Sequence, residues 1–376
     1  MNFKILYKDK NSNARIGYFL TDHGKVNTPI FMPIATKGYI KSITKENLNI
    51  LNPDIILSNT FHLNIEPGIK VIYKAGGLHS FMKWNKPIIT DSGGFQVYSL
   101  SKEKLINKNG CYIKSYKNGN FYFFTPKKSI KIQKYIGSDI ITSFDECIKY
   151  NVNKNYVKLA TDRTYNWLIE CINYFKKKKK IYNHKQYLFG IIQGGLYKDI
   201  RIKYTIKTSK LELDGFAIGG LQVGETKNKM FKIIKYVINE LPNNKPRYLM
   251  GVGMPWDILN SISLGIDMFD CVIPTRNGRN GMIFTWDGII NIKNKKWKYN
   301  YSDINIYNNN NIKKKNISKS YLRHLFKSKD ISAKTIATIN NIYFYISLIK
   351  EAKFHIKNNT FNKWKNKIIP IIKKKL

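Results

Sequence analysis

Gly265-Ile266-Asp267-Met268-Phe269-Asp270-Cys271-Val272-Ile273-Pro274-Thr275-Arg276-Asn277-Gly278-Arg279-Asn280-Gly281 is the stretch on which the fold turns. An apolar run of β character carries one carboxylate at Asp270, and Pro274 ends it before a turn holding Arg276 and Arg279. Read alone, it fits better a buried strand with a salt-bridged aspartate followed by a solvated basic turn. Its weight comes from being the last of eight comparable runs.

The other seven are Ile30 to Thr36, Asp54 to Thr60, Pro87 to Gly94, Ser138 to Asp145, Tyr187 to Gly195, Gly215 to Gly220 and Arg247 to Gly253. Most end in a polar or glycine-bearing tip, and most are followed by a helical pattern. Between the sixth and seventh, Met230, Phe231, Ile233, Ile234, Val237, Ile238 and Leu241 recur at helical spacing and Pro242 closes the segment. Similar patterns occupy Tyr156 to Phe175 and Ile200 to Leu213, with a shorter one from Trp256 to Leu264. Continuous apolar strands alternating with helices predict a parallel sheet covered by helices, and eight units predict a (β/α)8 TIM barrel of the α/β class. A doubly wound open sheet is the structural alternative.

Two segments interrupt the alternation. Near 100–125, Cys111 to Lys114 and Phe121 to Phe124 flank Lys117-Asn118-Gly119-Asn120, which predicts a hairpin inserted after the third strand. After Gly281, Ile283 to Ile292 reads as a second hairpin, then come an Asn/Lys-rich loop and helices over Ser320 to Phe326 and Thr338 to Ile356. The expected organisation is therefore a catalytic barrel over 1–281 and a C-terminal helical subdomain over 282–376.

Composition narrows the class. The 376 residues are 43% hydrophobic, and no apolar run approaches the roughly 18 residues of a membrane span. No apolar stretch follows the basic start at Met1 to Lys4, so a cleavable signal is not expected and the cytoplasm is the expected compartment. Cys111, Cys147, Cys171 and Cys271 form no Cys-x-x-Cys pair, which predicts reduced thiols. A net charge of +41 suits a polyanion such as RNA. Part of that charge belongs to a chain-wide bias towards Lys, Asn, Ile, Tyr and Phe, so charge alone does not establish RNA binding.

Barrel enzymes build their sites at the carboxyl ends of the strands. Asp91, Asp145, Gln193, Gly220 and Asp270 all fall at such tips. One carboxylate alone would be read as a cap or ion-pair partner, but three on different strands can converge on one pocket. Glycines at 93, 94, 194, 195, 219 and 220 let a flat ligand lie against backbone. Carboxylates, an amide and stacked glycines together suit a purine-like heterocycle.

The tips also carry a resemblance. Asp91-Ser92-Gly93-Gly94-Phe95-Gln96-Val97, Phe144-Asp145-Glu146-Cys147, Gly190-Ile191-Ile192-Gln193-Gly194-Gly195, Gly215 to Leu221, Tyr248-Leu249-Met250-Gly251-Val252-Gly253 and Phe269 to Arg276 resemble, in order, the bacterial queuine tRNA-ribosyltransferases, or tRNA-guanine transglycosylases. The likeness runs from about Asn27 to about Ile349. It implies exchange of guanine at the anticodon wobble position for a 7-deazaguanine, with Asp270 as nucleophile and Asp91 as general acid and base. It further implies a base pocket shaped by Ser92, Gly93, Gly94 and Phe95, with Asp145 accepting from the guanine edge. Gln193 and the Gly220 amide would donate to the ring carbonyl, the Leu221 carbonyl would meet an aminomethyl substituent, and Met250 or Phe95 would stack on the base. Thr275, Arg276, Asn277, Gly278 and Arg279 match the family's wobble-region RNA contact. Gly251, Val252, Gly253, Met254, Pro255, Trp256 and Asp257 match a second one.

One part of the pattern is missing. The family's structural zinc is held by Cys-x-Cys-x-x-Cys and a later His, and these positions fall on Asn309, Asn311, Lys314 and Asn340. Such a set cannot replace thiolates and imidazole, so no metal cofactor is expected. The resemblance also implies a homodimer, with a tRNA anticodon loop, guanine and a 7-deazaguanine base as partners. Two other readings remain: a non-catalytic tRNA-binding or partner subunit on the same fold, and a carboxylate-pair glycosidase, which Gln193, Gly220 and the basic turn fit poorly.

Overall fold

The computed structural model describes residues 1–95, 106–115, 117, 119–304 and 317–376. The chain opens with an antiparallel sheet that periodicity leaves unassigned, made of β1 (Phe3–Lys8), β2 (Arg15–Thr21) and β3 (Gly24–Thr28). Phe3, Phe19 and Val26 from this sheet pack with Ile30, Met32, Ile89, Phe189 and Met268 of the barrel strands, plugging the barrel's amino-terminal end. A buried ion pair locks the plug. Arg15 Nε and Nη2 donate to the two Asp267 oxygens at 2.9 and 2.6 Å, just ahead of the eighth barrel strand.

The first three barrel strands are β4 (Ile30–Met32), β5 (Ile56–Ser58) and β6 (Ile88–Thr90). Next comes the insertion, β7 (Ile106–Asn107), β8 (Gly110–Lys114) and β9 (Phe121–Phe124), an antiparallel sheet rather than a simple hairpin. Its β8–β9 pairing runs to Lys114–Phe121, with the Ser115 amide donating to the Asn120 carbonyl at 2.8 Å, and Asn118 of the expected Asn118-Gly119 turn lies outside the described residues. Residues 96–105, 116 and 118 of the expected insertion lie outside the described residues. The remaining barrel strands are β10 (Ile140–Thr142), β11 (Tyr187–Ile192), β12 (Gly215–Ile218), β13 (Arg247–Leu249) and β14 (Met268–Asp270).

All eight pair in parallel in the order β4-β14-β13-β12-β11-β10-β6-β5. Past the end of β4, Ile34 bridges Leu57 of β5, with the Ala35 amide 2.7 Å from the Leu57 carbonyl. The ring thereby closes and the expected barrel is the fold; an open doubly wound sheet is excluded. The strands are shorter than the apolar runs that announce them, because the last residues of each run bend into the tips.

The outer layer begins with α1 (Lys45–Leu51), α2 (Thr60–Leu63), α3 (Ile69–Lys74) and α4 (Leu78–Met82). It continues with α5 (Pro126–Ile136), α6 (Lys154–Lys177), α7 (Lys198–Ser209), α8 (Lys227–Glu240) and α9 (Pro255–Ser263). After Asp270 the structure corrects the expected basic turn: residues Ile273–Arg279 form a short helix, α10, with Pro274 in its first turn. Proline suits that position because the first turn has no intrahelical use for its missing N–H. The C-terminal region holds the hairpin β15 (Met282–Thr285) and β16 (Gly288–Asn291), then α11 (Lys319–Lys327), α12 (Ile331–Lys357) and α13 (Phe361–Lys373). Helix α12 starts seven residues before the expected Thr338, and α13 was not anticipated.

Helix α12 is tied to α10 at close range. A Cβ on Gly278 would stand 2.8 Å from Thr338 Cα, so only glycine allows this approach. Beside it, Asn341 Nδ2 donates to the Pro274 and Met282 carbonyls at 3.0 and 2.9 Å, and its Oδ1 accepts the Phe284 amide at 2.9 Å. Asn341→Ala takes this partner from the Phe284 amide and the Met282 carbonyl, while the Pro274 carbonyl keeps its place in the α10 ladder, and each buried group left unsatisfied costs about 1–3 kcal/mol. We expect a fall in stability of about 3 kcal/mol or more in denaturant titration; an unchanged midpoint would remove the clamp from the account.

Candidate active site

Asp270 ends β14 in register with Met32 of β4, and its side chain is 8% exposed. The Tyr248 hydroxyl donates to its Oδ1 at 2.7 Å and the Gly251 amide does so at 2.8 Å. Burial raises its pKa above the ordinary carboxylate value, and those two donors oppose the rise. The two bonds fix the carboxylate through one oxygen. No described donor is bonded to Oδ2, the geometry an attacking oxygen requires.

Across the barrel mouth, Asp91 follows β6. Its amide donates to the Ser58 carbonyl of β5 at 3.2 Å. Its Oδ1 accepts the Thr60 amide at 2.9 Å, and its Oδ2 accepts from Asn59. Withdrawal from water pushes its pKa up to about 7, and the charge of Asp270 adds to the rise against the Thr60, Gly93 and Asn59 donors. The two carboxylates therefore feel each other, and Asp91 holds a proton that is exchangeable near neutrality.

Asp145 lies at the β10 tip, 4% exposed, accepting from Ser92 Oγ at 2.8 Å and Gln193 Nε2 at 2.7 Å. Burial is the main reason its pKa rises to about 6. Gly94 presses against it so closely that a Cβ would stand 2.0 Å from Asp145 Oδ1. Gln193 Oε1 is buried with no hydrogen-bond partner, and a Cβ on Gly220 would meet it at 2.2 Å. Ser92, Gly93, Gly94, Asp145, Gln193 and Gly220 are thus brought together. The Gln193 donor expected to face a ring carbonyl is here spent on Asp145, so a ligand has to compete for it. Leu221 is buried beside this group, Met250 is half-buried, and Phe95 is 56% exposed.

Three supporting residues escaped the sequence reading. Asn59 and Thr60 hold Asp91, and Tyr248 holds Asp270. A fourth, Arg201 on α7, is fully buried and donates to the carbonyls of Gly195, Ile192 and Gly219 at 2.9, 2.9 and 2.8 Å. It has no carboxylate partner among the described residues, and burial lowers its pKa to about 10. One guanidinium thereby sets the path of the two glycine loops. The signal available was a lone arginine among Ile200, Tyr204 and Thr205 on the apolar face of an amphipathic segment.

The expected RNA stretches divide. In the first, Arg276 is exposed and Arg279 half-buried, while Thr275 and Gly278 face inward and Asn277 is half-buried. Arg279 Nη1 has no hydrogen-bond partner among the described residues, and burial and the neighbouring Arg276 charge lower the Arg279 pKa. Two adjacent guanidiniums with an unused donor form a site for an anion. In the second stretch, Val252, Gly253, Pro255 and Asp257 are buried. Asp257 pairs with Lys227 Nζ at 2.6 Å, and Gly251 serves Asp270, which leaves Gly251, Met254 and Trp256 as the members reaching the surface.

Among the described residues, the one group of His, Cys, Asp or Glu side chains close enough for a metal is His23, His79 and His184, with ligand atoms within 4.8 Å of one another. It sits at the opposite end of the barrel. His23 and His79 stack at 3.6 Å and both bond to Asp139, so their lone pairs lie in nearly parallel planes and do not converge on one ion. Of the positions matching the family's zinc ligands, Asn340 is described: it is 4% exposed, with Nδ2 donating to the Phe284 carbonyl at 3.1 Å. Asn309, Asn311 and Lys314 lie outside the described residues.

A barrel mouth holding two buried carboxylates that feel each other's charge, beside a cluster of polar groups and glycines, has the chemical parts of a site for glycosyl chemistry. The family model described as queuine tRNA-ribosyltransferase matches residues 9–374. The queuine tRNA-ribosyltransferase of Aquifex aeolicus is 44% identical, with 100% of each chain covered. That of Buchnera aphidicola subsp. Acyrthosiphon pisum is also 44% identical, covering 98% of this chain and 100% of its own. A third, from a Thermoanaerobacter species, is 43% identical over 97% and 96%. The chain belongs to the queuine tRNA-ribosyltransferase family, and it is a tRNA-modifying pentosyltransferase. No helix among the described residues is long and apolar enough to cross a membrane.

Tyr248→Phe removes a donor that favours the ionised form of Asp270. The acidic limb of the pH–rate profile should therefore move to higher pH. A limb that stays in place would show that the Tyr248 hydroxyl does not set the ionisation of Asp270.

Proposed function

We propose that the chain exchanges guanine at the wobble position (34) of tRNAs with GUN anticodons for 7-aminomethyl-7-deazaguanine, by double displacement on Asp270. The observation that carries this reading is the pairing of Asp270, fixed by Tyr248 and Gly251, with Asp91, whose proton is exchangeable near pH 7. An Asp270 oxygen attacks the ribose anomeric carbon and the bond to guanine breaks. Asp91 gives its proton to the departing base, leaving a ribosyl ester on Asp270. The incoming base then gives a proton to Asp91 and attacks the same carbon, releasing Asp270; two inversions retain configuration.

Selectivity follows from unpaired polar groups. Asp145 accepts from the N–H groups of a guanine-type edge, while the Gly220 amide and Gln193 Nε2, once released from Asp145, donate to its carbonyl, a pattern adenine leaves unsatisfied. The Leu221 carbonyl is the acceptor for an aminomethyl group. The wobble nucleotide belongs to a loop and is splayed out at small unpairing cost, with Arg276 and Arg279 taking adjacent phosphates.

The test is incorporation of labelled guanine into a tRNA with guanine at position 34. Without an incoming base, denaturing gels should trap a covalent RNA adduct that Asp270→Ala abolishes. Binding without incorporation would favour a passive partner subunit. Since this half-reaction uses protonated Asp91, adduct formation should fall as pH rises above about 7. A rate that climbs across that range would discard the assignment.

We also propose that the C-terminal region holds no structural zinc. Asn340 is committed to the Phe284 carbonyl, and a set of carboxamides and an ammonium offers no thiolate or imidazole. Elemental analysis of purified protein should give far less than one zinc per chain, and chelator should leave the melting temperature unchanged. One tightly held zinc per chain would overturn this.

A further inference from the structure

Outside the mouth, a groove of about 670 Å³ runs between α3 and α5. It is lined by Lys70, Lys127, Lys128 and Lys131, by the rings of Tyr73, Tyr135 and Tyr174, and by no acidic residue. Lys70, Lys127 and Lys131 are exposed, and none of them is ion-paired among the described residues. Glu66, the acid nearest in sequence to α3, is taken up by Lys37 and Lys117. Lys128 is held differently, its Nζ donating to the Phe123 carbonyl at 2.8 Å. Four positive side chains thus share one channel without internal neutralisation, which favours a polyanion over any single small anion.

The groove starts at the active site. Its upper rim is Asn64, just past α2, whose first residue Thr60 bonds Asp91, and Thr125, the cap of α5. Phe124, next to Thr125, lies 3.7 Å from where a Gly93 Cβ would be. Ser129 on α5 donates to the Ser92 carbonyl at 2.7 Å. From Thr125 the channel follows α5 to Tyr135, about 15 Å of helix. Lys127 and Lys131 lie one turn apart on the same face, about 6 Å along the axis, a step comparable with that between successive phosphates of a strand. Tyr73 and Tyr135 meet edge to face at 5.1 Å and give ribose or base an apolar wall.

We propose that this lysine–tyrosine groove is a second RNA-binding surface, which takes the phosphodiester backbone of the tRNA outside the nucleotides engaged at the mouth. The inference rests on the tRNA-exchange reading for its ligand. It adds a binding surface on the α3–α5 side, whose lining includes neither Arg276 nor Arg279.

The test compares the unsubstituted chain with the triple variant Lys70→Gln, Lys127→Gln, Lys131→Gln. Binding of full-length tRNA and of vesicles containing anionic phospholipid is titrated across salt concentrations. We expect tRNA affinity to drop about tenfold at low salt, and the slope of log K against log salt to shrink by about two, as for three lost phosphate contacts. KM for tRNA should rise with kcat and the melting temperature unchanged. Unaltered tRNA affinity and slope would overturn the proposal, as would a loss confined to vesicle binding. Failure of the exchange reading is seen separately, as absence of guanine incorporation by the unsubstituted chain whatever its RNA affinity.

Discussion

Everything at the catalytic end depends on keeping ionisable oxygens out of water inside a closed ring of strands. Asp270, Asp145 and Asp91 all have pKa values raised chiefly by burial, and each is held by donors that stop it from simply neutralising. Those donors are backbone amides and short side chains fixed by the barrel: Gly251 and Tyr248, Ser92 and Gln193, Thr60 and Asn59. The balance leaves two carboxylates of one pocket in different states, as the proposed division between nucleophile and proton carrier requires. The better-buried Asp270 is tied through a single oxygen, while Asp91 keeps a proton whose loss and recovery span neutral pH.

Such a site needs a scaffold that does not relax, and buried guanidiniums supply it at both ends. Arg15 pairs with Asp267 beneath β14, fixing the start of the strand that carries Asp270. Arg201 gathers three carbonyls beneath the glycine loops, doing with hydrogen bonds alone what an ion pair does elsewhere. Charged groups placed this way are costly to bury, and their full complement of partners makes the backbone around them difficult to displace.

The barrel was legible because each strand is a continuous apolar run and its crossover a periodic one, as in Tyr187 to Ile192 followed by Lys198 to Ser209. The tips were legible because Asp91, Asp145, Gln193 and Asp270 interrupt those runs with polar groups. What stayed hidden was relational. Tyr248 looks like an ordinary strand aromatic until Asp270 on the next strand meets its hydroxyl. The amino-terminal sheet alternates too weakly to separate from a loop, with Leu6 and Tyr7 exposed in β1. Helix α10 reads as a turn because seven residues holding Pro274 and Gly278 have poor intrinsic helix preference; packing against α12 supplies what propensity lacks.

Helix α12 bears on how the chain is divided. The eighth crossover of a barrel needs a helix lying over its eighth and first strands, and α10 is too short to cover them. Phe31 of β4 meets Tyr345 of α12 with ring centroids 4.6 Å apart, and the Tyr345 hydroxyl reaches the Gly253 carbonyl. At the far end of α12, Lys353 Nζ donates to the Asn27 carbonyl at 3.0 Å, just ahead of β4. The covering helix is thus delivered from downstream, and the hairpin and α11 are an excursion within the last βα unit. A polypeptide cut after Gly281 would therefore be an unroofed barrel, with the aromatic seam along β4 open to solvent.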